Sequence, residues 1–356
     1  MNFSTTYILY PPNRALERAI ANSIGMLSAD MAAASAPDTQ VAVADNFRYT
    51  RGNYEQHRYS ARIYEDLRQT IEASLTDTSD TGGLAAKISR KREPLVWAEM
   101  QDNLGNILAA QGQQRRDAAL FEQSIQCFNK ALEEFTLENA SQQWAATQYN
   151  LGTANHSLGQ LLETTAPLKI ALDAYTSALQ VWTREKSPEE WMFTLHQLGN
   201  TLHTFGTLLK GNRQLQKSVV AYKNALAALD ADDYALELTA THNNRAVTLH
   251  HLGESEENPD RLKEAINSYE KALTVSMEQQ LPIHVAVLCR VNKATAQNVL
   301  AQMTNDSALA EEVADEFEVI MECFPHALQP LCLKHCKEQR DQALSRLTAF
   351  NSQTAG

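Results

Sequence analysis

A spacing of 47 residues recurs along this chain and constrains its fold more than any other feature of the sequence. The first three repeats each contain a tryptophan, two glycines, an aromatic residue and an alanine-leucine pair at fixed offsets, and the fourth keeps the second glycine, the aromatic residue and the alanine-leucine pair. The tryptophans are Trp97, Trp144 and Trp191, and the first glycines are Gly105, Gly152 and Gly199. The second glycines are Gly112, Gly159, Gly206 and Gly253, and the aromatic residues are Phe128, Tyr175, Tyr222 and Tyr269. Because these columns keep one register, the sequence predicts an array of repeated structural elements.

Each repeat is predicted to form two helices, because its apolar residues recur at steps of three and four. Pro94 and Pro188 suit the first turn of a helix, and Gly112 is expected to end the first helix. Gly105 falls in mid-helix, where glycine costs about 1 kcal/mol relative to alanine. We therefore expect the partner helix to approach closely there, with Ala131 as its small surface and the large aromatic residues filling the spaces between hairpins. One hairpin cannot bury such a face alone, so the hairpins are predicted to stack.

The repeats resemble a known family. The order Leu-Gly, Gly, then Phe or Tyr followed by Ala-Leu resembles the tetratricopeptide repeat, whose common form has about 34 residues. The openings "PLVWAEMQDNLG" and "SQQWAATQYNLG" are similar to arrays in large bacterial signalling and caspase-like (CHAT) proteins. The resemblance implies an all-α fold, a right-handed α-solenoid of stacked helical hairpins. It covers residues 94–325 as five repeats, the fifth weaker than the others.

The two ends of the chain are less regular than the array. Residues 1–93 are interpreted as an N-terminal helical segment, because residues 13–31 and 54–75 have helical periodicity; a degenerate repeat followed by a polar linker is one alternative. Residues 326–356 are predicted to form an amphipathic capping helix and a tail, since the last element of a solenoid has a polar outer face. The helix face that carries Cys332, His335 and Cys336 is interpreted as structural.

A polar column is the strongest candidate for a binding site. A side-chain amide precedes the Leu-Gly position in each repeat, at Asn103, Asn150, Gln197, Asn244 and Asn292. The resemblance implies that the first helices line a concave groove, where such asparagines bond the backbone of an extended peptide. An amide suits this task because it both donates and accepts hydrogen bonds. The alternative is that each amide bonds a neighbouring helix.

Histidines and further polar residues accompany this column. Histidines recur at His156, His203 and His250, and the other residues predicted to contact a partner in the groove are Tyr149, His196, Asn200 and Asn243. The histidines are expected either to form weakly pH-responsive contacts in the groove or to lie on a solvent-exposed surface. Equivalent residues on neighbouring hairpins are about 10 Å apart, too far to share a metal ion with bonds of about 2 Å. No metal site and no cofactor are predicted.

Composition and missing motifs narrow the function. The net charge of -12 disfavours a nucleic-acid partner. No apolar run is long enough for a membrane span, no secretory signal is evident, and the five cysteines have no regular spacing, so a cytoplasmic protein with reduced thiols is expected. No phosphate-binding or protease motif is found. We therefore expect the protein to be a scaffold or adaptor that binds an extended peptide or partner protein, and not an enzyme. The alternative is a regulator gated by a signal peptide or ligand, for example one that controls a separate caspase-like protease.

Overall fold

The computed structural model describes residues 4–9, positions 65, 68, 69, 71 and 72, residues 88–324 and residues 330–354. The chain divides into two compact units. The smaller unit is Pro12–Thr183, and the larger unit joins Met1–Pro11 with Arg184–Gly356. All regular secondary structure in the described residues is helical. The all-α class that the sequence predicts is therefore confirmed for this part of the chain.

The smaller unit contains two described helical hairpins. Their helices are α1 (Pro94–Arg115), α2 (Ala118–Leu132), α3 (Ser141–Leu161) and α4 (Thr165–Ala178). Each helix packs mainly against its neighbours in the sequence, which is the arrangement of an α-solenoid. The second segment predicted to be helical within residues 1–93 is described at five positions, all of them helical. The first, residues 13–31, lies outside the described residues.

The larger unit contains three hairpins and a final helix. Its helices are α5 (Pro188–Leu209), α6 (Asn212–Leu226), α7 (Ala231–Ser255), α8 (Pro259–Glu278), α9 (Ile283–Thr304), α10 (Ser307–Cys323) and α11 (Pro330–Thr354). These helices also pack in sequence order, and α11 contacts both α9 and α10. Pro94 and Pro188 are the first residues of α1 and α5, as predicted.

The mid-helix glycines lie where an aromatic ring contacts the helix backbone. A Cβ atom on Gly199 would lie 2.6 Å from Cε1 of Tyr222, and one on Gly152 would lie 2.8 Å from Cε1 of Tyr175. Both rings are fully buried within their own hairpins. The expected close approach is present, but the prediction that Ala131 and its equivalents face these glycines was wrong. The glycine makes room for the ring of its own hairpin instead.

The prediction that Gly112 ends the first helix was also wrong. Helix α1 continues to Arg115, and the left-handed residue that follows is Arg116, with φ 52°. The same conformation recurs at Glu163, Lys210 and Glu257, again at steps of 47. The carbonyl of Gly112 accepts a hydrogen bond from the Asp117 N–H at 3.0 Å, which is the long bond of a Schellman turn. The second glycine column therefore lies inside the last helical turn.

Residues 4–9 precede the first segment predicted to be helical, and they adopt no regular secondary structure. Pro11 and Pro12 follow them in the sequence, and a helix rarely continues into a proline. The backbone groups of these residues bond to side chains of the larger unit instead of to one another. We call this short stretch the N-terminal segment.

Candidate functional site

The N-terminal segment lies against α7, α9 and α11 of its own unit. The Leu9 N–H donates a hydrogen bond to Asn244 Oδ1 at 2.8 Å, and Asn244 Nδ2 donates to the Leu9 carbonyl at 2.7 Å. One side-chain amide thus satisfies both polar backbone groups of one residue. Asn244 belongs to the polar column found in the sequence, and it is completely buried.

The neighbouring hairpin repeats this arrangement two residues earlier in the segment. The Tyr7 N–H donates to Asn292 Oδ1 at 2.8 Å, and the Tyr7 carbonyl accepts from Asn292 Nδ2 at 2.8 Å. Asn243 Nδ2 donates to the same carbonyl at 2.9 Å. Tyr7 and Leu9 therefore present their backbone groups to one face, as alternate residues of an extended chain do.

The side chains of the segment make two kinds of contact. Tyr7, Ile8 and Leu9 pack against apolar clusters of the larger unit, and Leu9 is buried. The ring of Tyr7 meets the ring of His335 edge to face, with centroids 6.0 Å apart. The earlier residues of the segment carry hydroxyl groups, which meet polar side chains at the end of α7. We call the surface formed by these contacts the segment groove.

The polar end of the segment groove is formed by two residues of α7. Glu254 accepts hydrogen bonds from the Ser4 N–H, at 3.0 Å, and from the Ser4 hydroxyl. Burial raises the pKa of Glu254, although these bonds from Ser4 oppose the shift. Oγ1 of Thr6 lies 3.0 Å from Nε2 of His251. The groove thus has a place for two hydroxyl-bearing residues, followed by a place for an aromatic and two aliphatic residues.

A network of side-chain amides on α5 and α7 holds Asn244 in position. Asn244 Nδ2 donates to Asn200 Oδ1 at 3.0 Å, and that oxygen also accepts from the Tyr222 hydroxyl at 2.7 Å. Asn200 Nδ2 donates to Gln197 Oε1 at 3.0 Å. Asn243 is linked to Asn244 in the same way, at 3.0 Å. Because Asn200 offers an acceptor to Asn244 Nδ2 and Asn243 offers a donor to Asn244 Oδ1, the Asn244 amide keeps one orientation, with Oδ1 towards the Leu9 N–H.

Buried histidines lie beneath the hydroxyl end of the segment. His203 Nε2 and His251 Nδ1 are 3.1 Å apart, and the two rings stack with centroids 5.1 Å apart. Burial lowers the pKa of His251 to about 4, and it lowers the pKa of His250 well below its ordinary value. His251 is therefore neutral at pH 7, and one proton between the two rings leaves its Nε2 to bond the Thr6 hydroxyl. His250 is fully buried, with Glu254 Oε1 4.0 Å from its Nε2.

His196 lies on α5, beside the amide network. Its Nδ1 is 2.8 Å from Oγ1 of Thr241, and its ring contacts the ring of Tyr222 with centroids 5.8 Å apart. Burial lowers the pKa of His196 to about 4, so this side chain is neutral as well. His196 thus bonds α7 and packs against a ring of α6.

In the smaller unit, the equivalent residues of these sequence columns make different contacts. Asn150 Nδ2 donates to the Asp102 carboxylate at 3.3 Å, so this amide bonds the preceding hairpin. Asn103 is buried, and within the described residues its Nδ2 has no hydrogen-bond acceptor. The ring of Tyr149 packs against two aromatic rings of its own unit, and burial lowers the pKa of His156 to about 4. No extended segment contacts these residues in the part of the smaller unit that the structure describes.

Other classes of site were sought among the described residues. They contain no group of three or more histidine, cysteine, aspartate or glutamate side chains arranged to hold a metal ion. None of their helices is long and apolar enough to cross a membrane. Cys332 and Cys336 are buried on α11, and His335 Nε2 lies 3.0 Å from Oγ1 of Thr295.

Three parts of the site were not identified from the sequence, namely the N-terminal segment, His251 and Glu254. One signal was present, because residues 3–12, "FSTTYILYPP", carry no charge and are rich in β-branched and aromatic residues before two prolines. That composition favours an extended chain over a helix. Glu254 had no comparable signal, since it belongs to no repeated column. In comparisons with known proteins, no protein-family model matches this chain and no curated protein sequence matches it.

Proposed function

We propose that this protein is a non-catalytic scaffold or adaptor, whose segment groove binds an extended segment of a partner protein. One observation supports the proposal above all others: Asn244 and Asn292 each bond both backbone groups of one residue in the N-terminal segment. Extended peptides are commonly recognised through their main-chain groups, with pockets for alternate side chains providing specificity. The proposal includes the finer fold assignment, a right-handed solenoid of tetratricopeptide-like hairpins with the groove on its concave side.

The groove chemistry indicates what kind of partner segment would fit. Its backbone would pair with the two asparagines, which place no demand on side-chain identity. The hydroxyl positions would face Glu254 and His251, and the apolar positions would face the clusters that now hold Tyr7 and Leu9. Because His251 is neutral, a strongly acidic partner segment would gain no ion pair from it. We therefore expect an uncharged segment with serine or threonine before aromatic and aliphatic residues.

The alternative is a regulator gated by a signal peptide or ligand, for example one that acts on a separate protease. The occupied groove favours a regulated site in one respect, because an incoming segment would have to replace the one already present. Both proposals share the same groove and the same backbone readout. They differ in the effect that binding has on a second protein.

A peptide-display selection tests the proposal. A random library is presented to the immobilised chain of 356 residues, as wild type and as Leu9→Pro, which lacks the N–H that Asn244 accepts. Enriched peptides should share the hydroxyl-then-apolar pattern, and they should be lost when Asn244→Ala/Asn292→Ala is added. Asn150→Ala is the matched control, since it removes the same amide from the same column where the contact is with Asp102. The proposal fails if folded protein enriches no peptide, or if the double substitution leaves the enrichment unchanged.

A further inference from the structure

We infer that the N-terminal segment is an intramolecular ligand, which occupies the segment groove and must leave before a partner segment of the same chemistry binds. The inference rests on the proposed function, because it gives the regulation of that groove. The segment reaches the groove from far along the chain: Leu9 bonds a residue 235 positions away, and Tyr7 bonds one 285 positions away. It is therefore not a local extension of the helices that hold it.

The contacts are those of a bound peptide and not those of a core element. The backbone groups of Tyr7 and Leu9 bond side chains of α7 and α9, not a helix or strand ladder. Within the segment only Leu9 is buried, and Thr5 is exposed. By contrast, Asn244 and Asn292 beneath it are fully buried. The segment thus covers the groove from its outer side.

The groove helices pack extensively against one another. Tyr222 lies against Gly199 of its own hairpin, and Tyr269 and Leu249 lie in a cluster of six buried residues of α7, α8 and α9, against which Ile8 of the segment also packs. The bonds of the Asn244 amide to Asn200 and Asn243 do not involve Leu9. Departure of the segment would expose amide and carboxylate groups, which water or a second peptide can satisfy. This arrangement makes exchange of one extended chain for another chemically reasonable.

Competition within one chain has a measurable consequence. A groove that is about 90% occupied by its own segment has an apparent affinity for a free peptide about tenfold below the intrinsic value. Weakening the segment without changing the groove should restore the intrinsic affinity. Leu9→Pro weakens it, because proline keeps an apolar side chain but has no N–H for Asn244. Thr5→Pro is the matched control, since the Thr5 side chain is exposed and its amide takes no part in the contacts that define the segment groove.

The experiment uses the chain of 356 residues and a labelled peptide, fluorescein-Ser-Thr-Thr-Tyr-Ile-Leu-amide, titrated by fluorescence anisotropy. Leu9→Pro should bind this peptide at least tenfold more tightly than wild type, and Thr5→Pro should bind like wild type. A peptide with N-methyl-leucine at its last position should bind at least tenfold more weakly to Leu9→Pro, because it lacks the N–H that Asn244 accepts. Circular dichroism establishes that each variant is folded.

The other outcomes separate the inference from the proposed function. Equal, measurable affinity of wild type and Leu9→Pro overturns the inference but leaves peptide binding by the groove intact. Absence of binding to every folded variant overturns both. If wild type sediments as a dimer and Leu9→Pro as a monomer, the segment is exchanged between two copies, and the intramolecular assignment is wrong.

A second measurement does not depend on any variant. Hydrogen exchange of wild type, read by mass spectrometry over residues 1–11, should show slow exchange of the Tyr7 and Leu9 amides. Excess unlabelled peptide should speed this exchange severalfold, because it displaces the segment. Exchange that stays slow while the peptide is bound would show that the segment remains in place, and it would overturn the inference.

Discussion

Gly199→Ala tests whether the repeated glycine is required by the ring that packs against it. The new Cβ atom would lie 2.6 Å from Cε1 of Tyr222, whereas carbon atoms normally approach to about 3.5–4.0 Å. The ring cannot easily move away, because it is fully buried and its hydroxyl bonds Asn200 at 2.7 Å. Tyr222 would have to shift by about 1 Å, which strains its packing and lengthens this hydrogen bond.

The expected magnitude follows from three contributions. Overpacking of a core costs about 1–3 kcal/mol, and loss of the Tyr222 hydrogen bond costs about 1 kcal/mol. Alanine is more favourable than glycine inside a helix by about 1 kcal/mol, and this offsets part of the loss. We expect a net destabilisation of about 2 kcal/mol. For a unit of this size, that lowers the Tm by about 4–8 °C.

Thermal unfolding followed by circular dichroism measures the effect, with Ala246→Gly as the reciprocal variant. Ala246 holds the equivalent position in the fourth repeat, where the buried methyl group is already accommodated. Helix propensity alone predicts a higher Tm for Gly199→Ala and a lower one for Ala246→Gly, whereas the steric argument predicts that both variants melt earlier. Gly211→Ala adds a steric control at a residue that precedes a helix, where the nearest atom would lie at an ordinary contact distance of 3.8 Å. A Tm of Gly199→Ala equal to or above that of wild type would refute the reasoning.

Three further predictions concern buried polar groups. Burial lowers the pKa of His251 to about 4, so the unfolded chain takes up the proton at a higher pH than the folded chain and stability falls with falling pH. Between pH 7 and pH 5, the free energy of unfolding measured in urea should therefore fall by about 2 kcal/mol less for His251→Gln than for wild type. Burial raises the pKa of Asp102 to about 6, so stability falls as pH rises. From pH 5 to pH 8, the free energy of unfolding of Asp102→Asn should rise relative to that of wild type by about 1 kcal/mol. A stability difference between the two proteins that is the same at both pH values would contradict this prediction. Tyr222→Phe removes the donor to Asn200 and should cost about 1 kcal/mol in the same assay, and no cost would show that the bond is unimportant.

The repeat columns predicted the helical hairpins because each repeat buries side chains at equivalent positions, which makes the apolar pattern recur along the sequence. The same reasoning misplaced two details. It assigned Gly112 to the end of a helix, since glycine is the commonest residue there, although the turn geometry falls on Arg116. It placed Ala131 opposite Gly105, whereas the side chain that needs the space is the ring of Phe128. Spacing identifies which residues are equivalent, but it does not show which of them touch.

The candidate site was predictable only in part. The column that contains Asn244 and Asn292 stood out because polar residues rarely repeat beside a core. Their contact with Tyr7 and Leu9 had no counterpart in the repeat, since it joins residues more than 200 positions apart. Asn150 occupies the same column but bonds Asp102, and no pattern within one sequence separates the two cases. Contacts between distant parts of a chain depend on the folded surface and not on local periodicity.

The left-handed turns have a consequence for engineering. Arg116, Glu163, Lys210 and Glu257 each adopt a conformation that costs an ordinary residue about 1 kcal/mol, whereas the fifth hairpin has Asn305 there, a residue that tolerates it better. The packed hairpins, and not the turn residues, therefore determine this geometry. A version of the protein with asparagine at all four turns would be a thermostabilised variant that keeps every core and groove residue.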